Sequence, residues 1–292
     1  MVKCTESVSP YLDISHSIPY VSFAYSSIIS ADFLITEEAY KIANEMQAYL
    51  NEAITMWAEE DLHSDDSRLY FKRETICPSV IYESKKHYIM HIADKGEGDP
   101  EPCDEMKYVG VEVVKSTMSN EVKKLLKGII ESIMKVGNEI DAENIYRDAY
   151  AKYKELPIED IAFRSNINNY ETYELRSKGF QVAKRTPAHV KASIYYNKLL
   201  KLFKIDGIYN SIGSGNKIKW FYCESNQYGI ENFAFATTYP DEFKGVIEVN
   251  HKKMFRKAVG EAVDRIYKCV SWSAVDIQNE VTTNILQLFK QD

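Results

Sequence analysis

Several kinds of chemistry are missing from this sequence. No GxxxxGK[ST], GxGxxG or HExxH segment occurs, so the phosphate cradles and the paired-histidine zinc site built on those spacings do not apply. The five cysteines, Cys4, Cys77, Cys103, Cys223 and Cys269, are scattered, odd in number and never spaced CxxC. That argues against a disulfide framework or a zinc ribbon and for free thiols in a reducing compartment. No apolar run reaches the roughly 18 to 20 residues of a membrane span, and the start "MVKCTESVSP" lacks the apolar core of a signal peptide. A soluble, cytoplasmic protein is expected, in the host cytoplasm if the source is viral.

Basic charge is also in deficit, with a net charge of −7 over 292 residues. Nucleic acid remains open as a partner, because binding follows local Lys/Arg clusters and not the total. Tryptophan is scarce at 3 residues, whereas tyrosine is abundant at 21. Tyrosine suits half-wet surfaces such as a ligand groove, and an AT-rich coding sequence raises it as well.

Hydrophobic periodicity divides the chain. Residues 1–35 resist classification, although "SIPYVSFAYSSIISADFLI" is β-prone. Thr36 can cap a helix whose Ile42, Ala43, Met46, Leu50, Ala53, Ile54 and Trp57 recur at helical spacing. The acidic "EEDLHSDDS", with Asp65 and Asp66, closes it as a solvated loop. "LYFKRETICPSVIYES" and "KKHYIMHIADK" are strand-like, "GEGDPEP" is turn material, and "MKYVGVEVVK" alternates with Val109, Val111 and Val113 on one face.

Beyond Lys115 the pattern turns helical. Ser119 caps "NEVKKLLKGIIESIMKVG", which Gly137 stops; "DAENIYRDAYAKYKEL" and "TPAHVKASIYYNKLLKLF" follow, the latter with Pro187 near its first turn. "GSGNKIKWFYCESN" returns to strand, and "KKMFRKAVGEAVDRIYKCV" is a last long helix. The predicted fold is α+β: a small antiparallel sheet with a packed helix over 36–115, then a mostly helical part with a β insert over 116–292.

Catalytic constellations are poor. Of the six histidines only His87 and His91 stand close, and four residues along a strand put them roughly 13 Å apart, too far to chelate. "GSG" at 213–215 reads as a turn, since no helix follows it. Three small basic clusters stand out: Lys85 and Lys86 at a strand start, Lys115, Ser116 and Thr117 where strand gives way to helix, and Arg185 with His189 and Lys191. Lysines offer phosphates point charges, and hydroxyls add sequence-blind hydrogen bonds. Each cluster taken singly is also what an ordinary surface carries.

Their order is informative. "KKHY" followed by "MKYVGVEVVKSTMSNEVKKLLKGIIESI" resembles the segment of family B DNA polymerases where a basic strand leaves the palm and a glycine-x-glutamate strand enters the thumb through a basic-serine-threonine turn. The similarity continues through "TPAHVKASIYYN", "GNKIKWFYCESNQYGIENFAFA", "HKKMFRKAVGEAVDRIY" and "TNILQLF", and is nearest to the replicative polymerases of T-even-like phages. It covers about residues 68–292.

The resemblance implies a partial palm over 36–115 and a thumb with a C-terminal tail over 116–292. It places Lys85, Lys86, His87 and Tyr88 along the minor groove near the primer terminus, with His87 where an arginine is usual. Lys115, Ser116 and Thr117 would hold duplex phosphates, and His189 and Lys191 match a thumb helix start close to the primer backbone, with Arg185 beside them as a further DNA-binding candidate. Glu74 in "KRETI" matches a palm carboxylate. Leu286, Leu288 and Phe289 resemble a sliding-clamp anchor, and a buried terminal helix reads equally well for them.

The two palm aspartates that hold Mg2+ in that family are absent: "VSFAYSSIISAD" carries Phe23, Ala24 and Tyr25 where acids are expected. No catalytic residue and no metal ligand is therefore assigned to this chain. The expectation is a chain that binds primer–template duplex DNA and is inactive alone. It would be completed by a partner that carries the exonuclease, the fingers, the catalytic palm and the Mg2+ ions. A truncated reading frame, or a free-standing DNA-binding or clamp-binding module, is the alternative.

Overall fold

The computed structural model describes residues 37–63, 69–95, 101–136 and 138–273. The fold is α+β, with two small antiparallel three-stranded sheets. The chain divides into two compact units between Val109 and Gly110, short of Lys115, where strand was predicted to give way to helix. Among the described residues no helix is long and apolar enough to cross a membrane. Cys77, Cys103, Cys223 and Cys269 are free thiols.

The first unit opens with α1 (Glu37–Glu60) and continues with a meander of β1 (Ser79–Ser84), β2 (His87–Asp94) and β3 (Pro102–Val109). Register follows the apolar pattern: Ile81 lies opposite Ile89, and Ile81, Ile89 and Ile92 are buried. The stripe expected on α1 is only partly inward. Ala58 is buried and Ala43, Leu50 and Ile54 are half-buried, but Ile42, Met46 and Trp57 are 51%, 38% and 40% exposed. Polar contacts set the helix rotation instead. Asn51 donates to the Phe71 carbonyl at 2.9 Å and accepts from its N–H at 2.6 Å, and Gln47 accepts from the Arg73 N–H at 2.6 Å. The extended stretch around Phe71 is thus paired to side chains of α1.

The predicted continuation of β3 through "VEVVK" is not a strand. Gly110 has φ 68°, which turns the chain into a single 3₁₀ turn over Glu112–Val114 that still buries Val111 and Val113. Alternation alone cannot tell these two outcomes apart, since both bury every second valine.

The second unit begins there. Ser119 caps α2 (Asn120–Lys135), accepting from the Val122 N–H at 3.2 Å, and its hydroxyl donates to the Asp160 carbonyl. Val122, Leu126, Ile129, Ile130, Ile133 and Met134 form the buried stripe of α2. Asn138 caps α3 (Glu139–Lys154), and the one-turn α4 (Ile158–Ile161) follows Pro157. Then come β4 (Phe163–Asn166), α5 (Tyr170–Leu175) and α6 (Ala188–Phe203), which starts directly after Pro187. Next are β5 (Lys217–Tyr222), β6 (Asn232–Phe235) and α7 (His251–Phe255); a π-helical turn (Arg256–Gly260) leads into α8 (Glu261–Cys269). The predicted last helix is thus one rod widened in its middle. "GSG" is a turn, its Gly213 N–H bonded to the Asn216 side chain at 2.8 Å.

Rings build this unit's core. Phe221, Phe233, Phe235, Tyr239 and Phe243 meet edge to face or tilted at centroid distances of 5.2 to 6.5 Å, a geometry that adds to the area term. Phe255 sits among Tyr146, Tyr150 and Tyr153 of α3, at 5.1, 5.1 and 5.2 Å. Much of the tyrosine surplus is therefore interior: Tyr146, Tyr153, Tyr170, Tyr195, Tyr196, Tyr239 and Tyr267 are all buried.

Candidate nucleic-acid interface

In the first unit, Lys85 and Lys86 do not begin a strand; they are the turn between β1 and β2, and Ser84 faces His87 across it. Lys86 has φ 64°, a left-handed conformation that costs a side-chain-bearing residue about 1 to 2 kcal/mol and glycine nothing. Lys85, Lys86 and His87 are exposed, and neither lysine has an ion-pair partner among the described residues. Tyr88 itself lies opposite Tyr82, ring on ring at 5.6 Å. His87 Nδ1 lies 3.1 Å from Ser84 Oγ and 3.2 Å from the Lys85 carbonyl oxygen. A carbonyl only accepts, so a proton on Nδ1 satisfies that contact. His91 does not join His87; its Nε2 lies 2.6 Å from Asp104 Oδ1.

Glu74 is exposed, in the stretch held by Gln47 and Asn51. Beside it lies a polar network that the sequence reading missed. Asp94, fully buried, takes Arg73 Nη1 at 2.5 Å, the Tyr40 hydroxyl at 3.1 Å and the Glu101 N–H at 2.5 Å. Burial pushes the Asp94 carboxyl up, but the Arg73 guanidinium, the Glu101 N–H and the Tyr40 hydroxyl outweigh it, and the net direction is down. One signal was available: Asp94 follows Ile92 on the inward side of β2, where an isolated charge needs a partner.

In the second unit, Lys115, Ser116 and Thr117 are exposed ahead of α2. The Thr117 carbonyl accepts from the Arg164 N–H at 2.9 Å, which fixes this stretch against β4. Lys115 is engaged, its Nζ 2.9 Å from Glu112 Oε1, while Arg265 of α8 pairs with the other oxygen of that carboxylate. Burial raises the Glu112 carboxyl and its two cations lower it, with the lowering prevailing.

Arg185, His189 and Lys191 come together around the start of α6, but not as equals. Arg185 is exposed with φ 66° and has no ion-pair partner among the described residues. Lys191 Nζ is 3.1 Å from Glu231 Oε2 and lies over the Tyr195 ring at 5.8 Å. Burial pushes the His189 imidazole below its usual value, so the ring is neutral at pH 7. Leu286, Leu288, Phe289, Asp65, Asp66 and Gly137 lie outside the described residues, as do residues 1–36.

The donor set can be tested against the metal pair that the resemblance implies. Among the described residues no three His, Cys, Asp or Glu side chains converge, Glu74 stands alone, and Asp94 is committed to Arg73. These residues do not fit two metal ions. Each unit by itself offers cations that a polyanion can meet: in the first, Lys85 and Lys86 are exposed with no ion-pair partner among the described residues; in the second, Arg185 is likewise, and Lys115 and Lys191 can exchange a carboxylate for a phosphate. No protein-family model matches the chain, and no curated protein does either.

Proposed function

We propose that the chain is the C-terminal part of a phage-type family B DNA polymerase, palm end followed by thumb, and that it binds primer–template duplex DNA in the cytoplasm. It lacks the carboxylates for nucleotidyl transfer, so it extends no primer alone. A second polypeptide would supply the exonuclease, the fingers, the catalytic palm and, through that palm, the Mg2+ ions that assist the attacking hydroxyl and the leaving pyrophosphate; a sliding clamp is the further partner its tail would meet.

The observation that carries this reading is the β1–β2 turn. Two unpaired lysines stand at the tip of a hairpin, and Lys86 occupies a backbone position where glycine would be less strained. A strained non-glycine residue persists where its side chain has a use, and phosphate contact is the use two adjacent exposed cations serve. The order of the motifs read from the sequence adds the family.

Fluorescence anisotropy of the chain with a primer–template duplex, over a range of salt, tests this. Log affinity should fall linearly with log salt, and Lys85→Ala/Lys86→Ala should flatten that slope by about 2, at roughly 0.9 per phosphate contact. An unchanged slope in the variant removes the hairpin from the interface.

A further inference from the structure

We propose a second contact: the loop from Arg176 to Arg185 is a cationic strap that grips the phosphate backbone of a nucleic-acid strand without reading its bases. This rests on the reading of the chain as a nucleic-acid binder but not on the β1–β2 turn, and it adds Arg176, Lys178 and Lys184 to the interface.

Charge is the first argument. "RSKGFQVAKR" holds four cations and no acid in a chain of net charge −7. All four are exposed, and none has an ion-pair partner among the described residues. Some other cations of this unit, Lys115, Arg147, Lys191, Lys244, Arg256 and Lys257, are each bound to a carboxylate; the loop differs in setting four unpaired ones within ten residues with no acid among them. The acids nearest the loop in sequence are already occupied. Glu171 accepts from Ser214 Oγ at 2.6 Å, and Glu174 from the Tyr170 hydroxyl at 3.1 Å. Neither carboxylate is ion-paired with a cation of the loop among the described residues.

Rigidity is the second argument. A two-residue bridge joins Lys178 to Gln181, with Gly179 at φ 52° in its turn. Phe180 stacks nearly parallel on Tyr195 of α6 at 6.4 Å and on Tyr228 at 5.9 Å, with interplanar angles of 16° and 24°. Lys198 of α6 donates its ammonium to the Gly179 carbonyl, and Ser177 Oγ donates to the Tyr173 carbonyl at 2.8 Å. A loop fixed at its tip by rings and a lysine keeps its backbone entropy cost on binding small, leaving the cation side chains to be ordered. The rings are spent on one another, so the grip is electrostatic and sequence-blind.

The test uses the full chain, a short labelled duplex and one of its strands, titrated across salt. Arg176→Gln/Lys178→Gln/Lys184→Gln alters only exposed side chains. It should flatten the duplex slope by about 2 to 3, and the single-strand slope by about 2, at roughly 0.9 and 0.7 per phosphate. Slopes unchanged in this variant but flattened by Lys85→Ala/Lys86→Ala overturn the strap and leave the hairpin contact standing. The reverse pattern keeps the strap and overturns the hairpin. Flattening by both sustains both, and no binding by the wild type at low salt overturns both.

Discussion

At the centre of the first unit lies a carboxylate, Asp94, with Arg73 and Tyr40 on it; in the second unit the inward positions of β5 and β6 carry Phe221, Phe233 and Phe235. The difference shows in how each unit tolerates change. Aromatic packing spreads its stabilisation over many contacts, so losing one atom removes a small share. An ion pair taken out of water concentrates it: both charges are desolvated, and either alone is a liability. The side chains of Arg73 and Asp94 are 6% and 0% exposed, and the Nε and Nη2 atoms of Arg73 have no hydrogen-bond partner among the described residues. The first unit therefore carries a buried charge pair whose two members need each other.

The comparison breaks first at Asp94. Asp94→Asn leaves that guanidinium buried without a counter-charge, at a cost of about 3 kcal/mol or more. Hydrogen exchange should quicken in β1, β2 and β3 while the amides of α6 stay protected; equal loosening of both units would sink the distinction. The pH dependence has the same origin. The folded carboxyl lies below its unfolded value of about 3.9. Its stabilisation is therefore full above that value and is lost as pH falls through the folded one. Acid should open the first unit ahead of the second.

A smaller effect is expected at Gly260, in the π-helical turn. A Cβ there would meet the Tyr146 hydroxyl oxygen at 2.6 Å and Arg256 Cδ at 2.9 Å, and Tyr146 is buried in the ring cluster with no room to swing. Gly260→Ala should cost about 1 to 3 kcal/mol by overpacking. Adding Tyr146→Phe removes the oxygen in the way and should recover part of that loss in thermal unfolding. Independent, additive losses would show that the two sites do not touch.

The smallest change has the opposite sign. The Tyr153 hydroxyl is buried without a hydrogen-bond partner among the described residues, and burial pushes its pKa far up. Tyr153→Phe keeps the ring against Phe255 and removes an unsatisfied donor, so the second unit should gain about 1 kcal/mol. A loss instead would mean that the hydroxyl has a partner, and that the ring core is less apolar than described.

Local signals in the sequence were reliable where their physics is local. Ser119 caps its helix, Pro187 precedes α6, and the apolar side chains from Val122 to Met134 are buried. The errors came where two structures share one pattern. "VEVV" alternates whether it is a strand or a 3₁₀ turn, and Lys85 and Lys86 adjoin a strand whether they lie in it or in the turn before it. On α1 the amides of Gln47 and Asn51, not the apolar stripe, chose the inward face, so Ile42 and Met46 point out. Among the candidate contacts, the sequence could list cations but not show which are free: Lys115 is held by Glu112 nearby, Lys191 by Glu231 far along the chain.

By itself the sequence determined the α+β class, most helix starts, and the order of basic clusters along the chain, because caps, turns and periodicity act over a few residues. Tertiary structure alone decided that Asp94 has a partner, that the tyrosines fill a core, that Glu112 is shared by Lys115 and Arg265, and that Phe180 locks a cationic loop. Those outcomes join residues far apart in the chain, and their energies exist only once the fold has brought the groups together and removed the water between them.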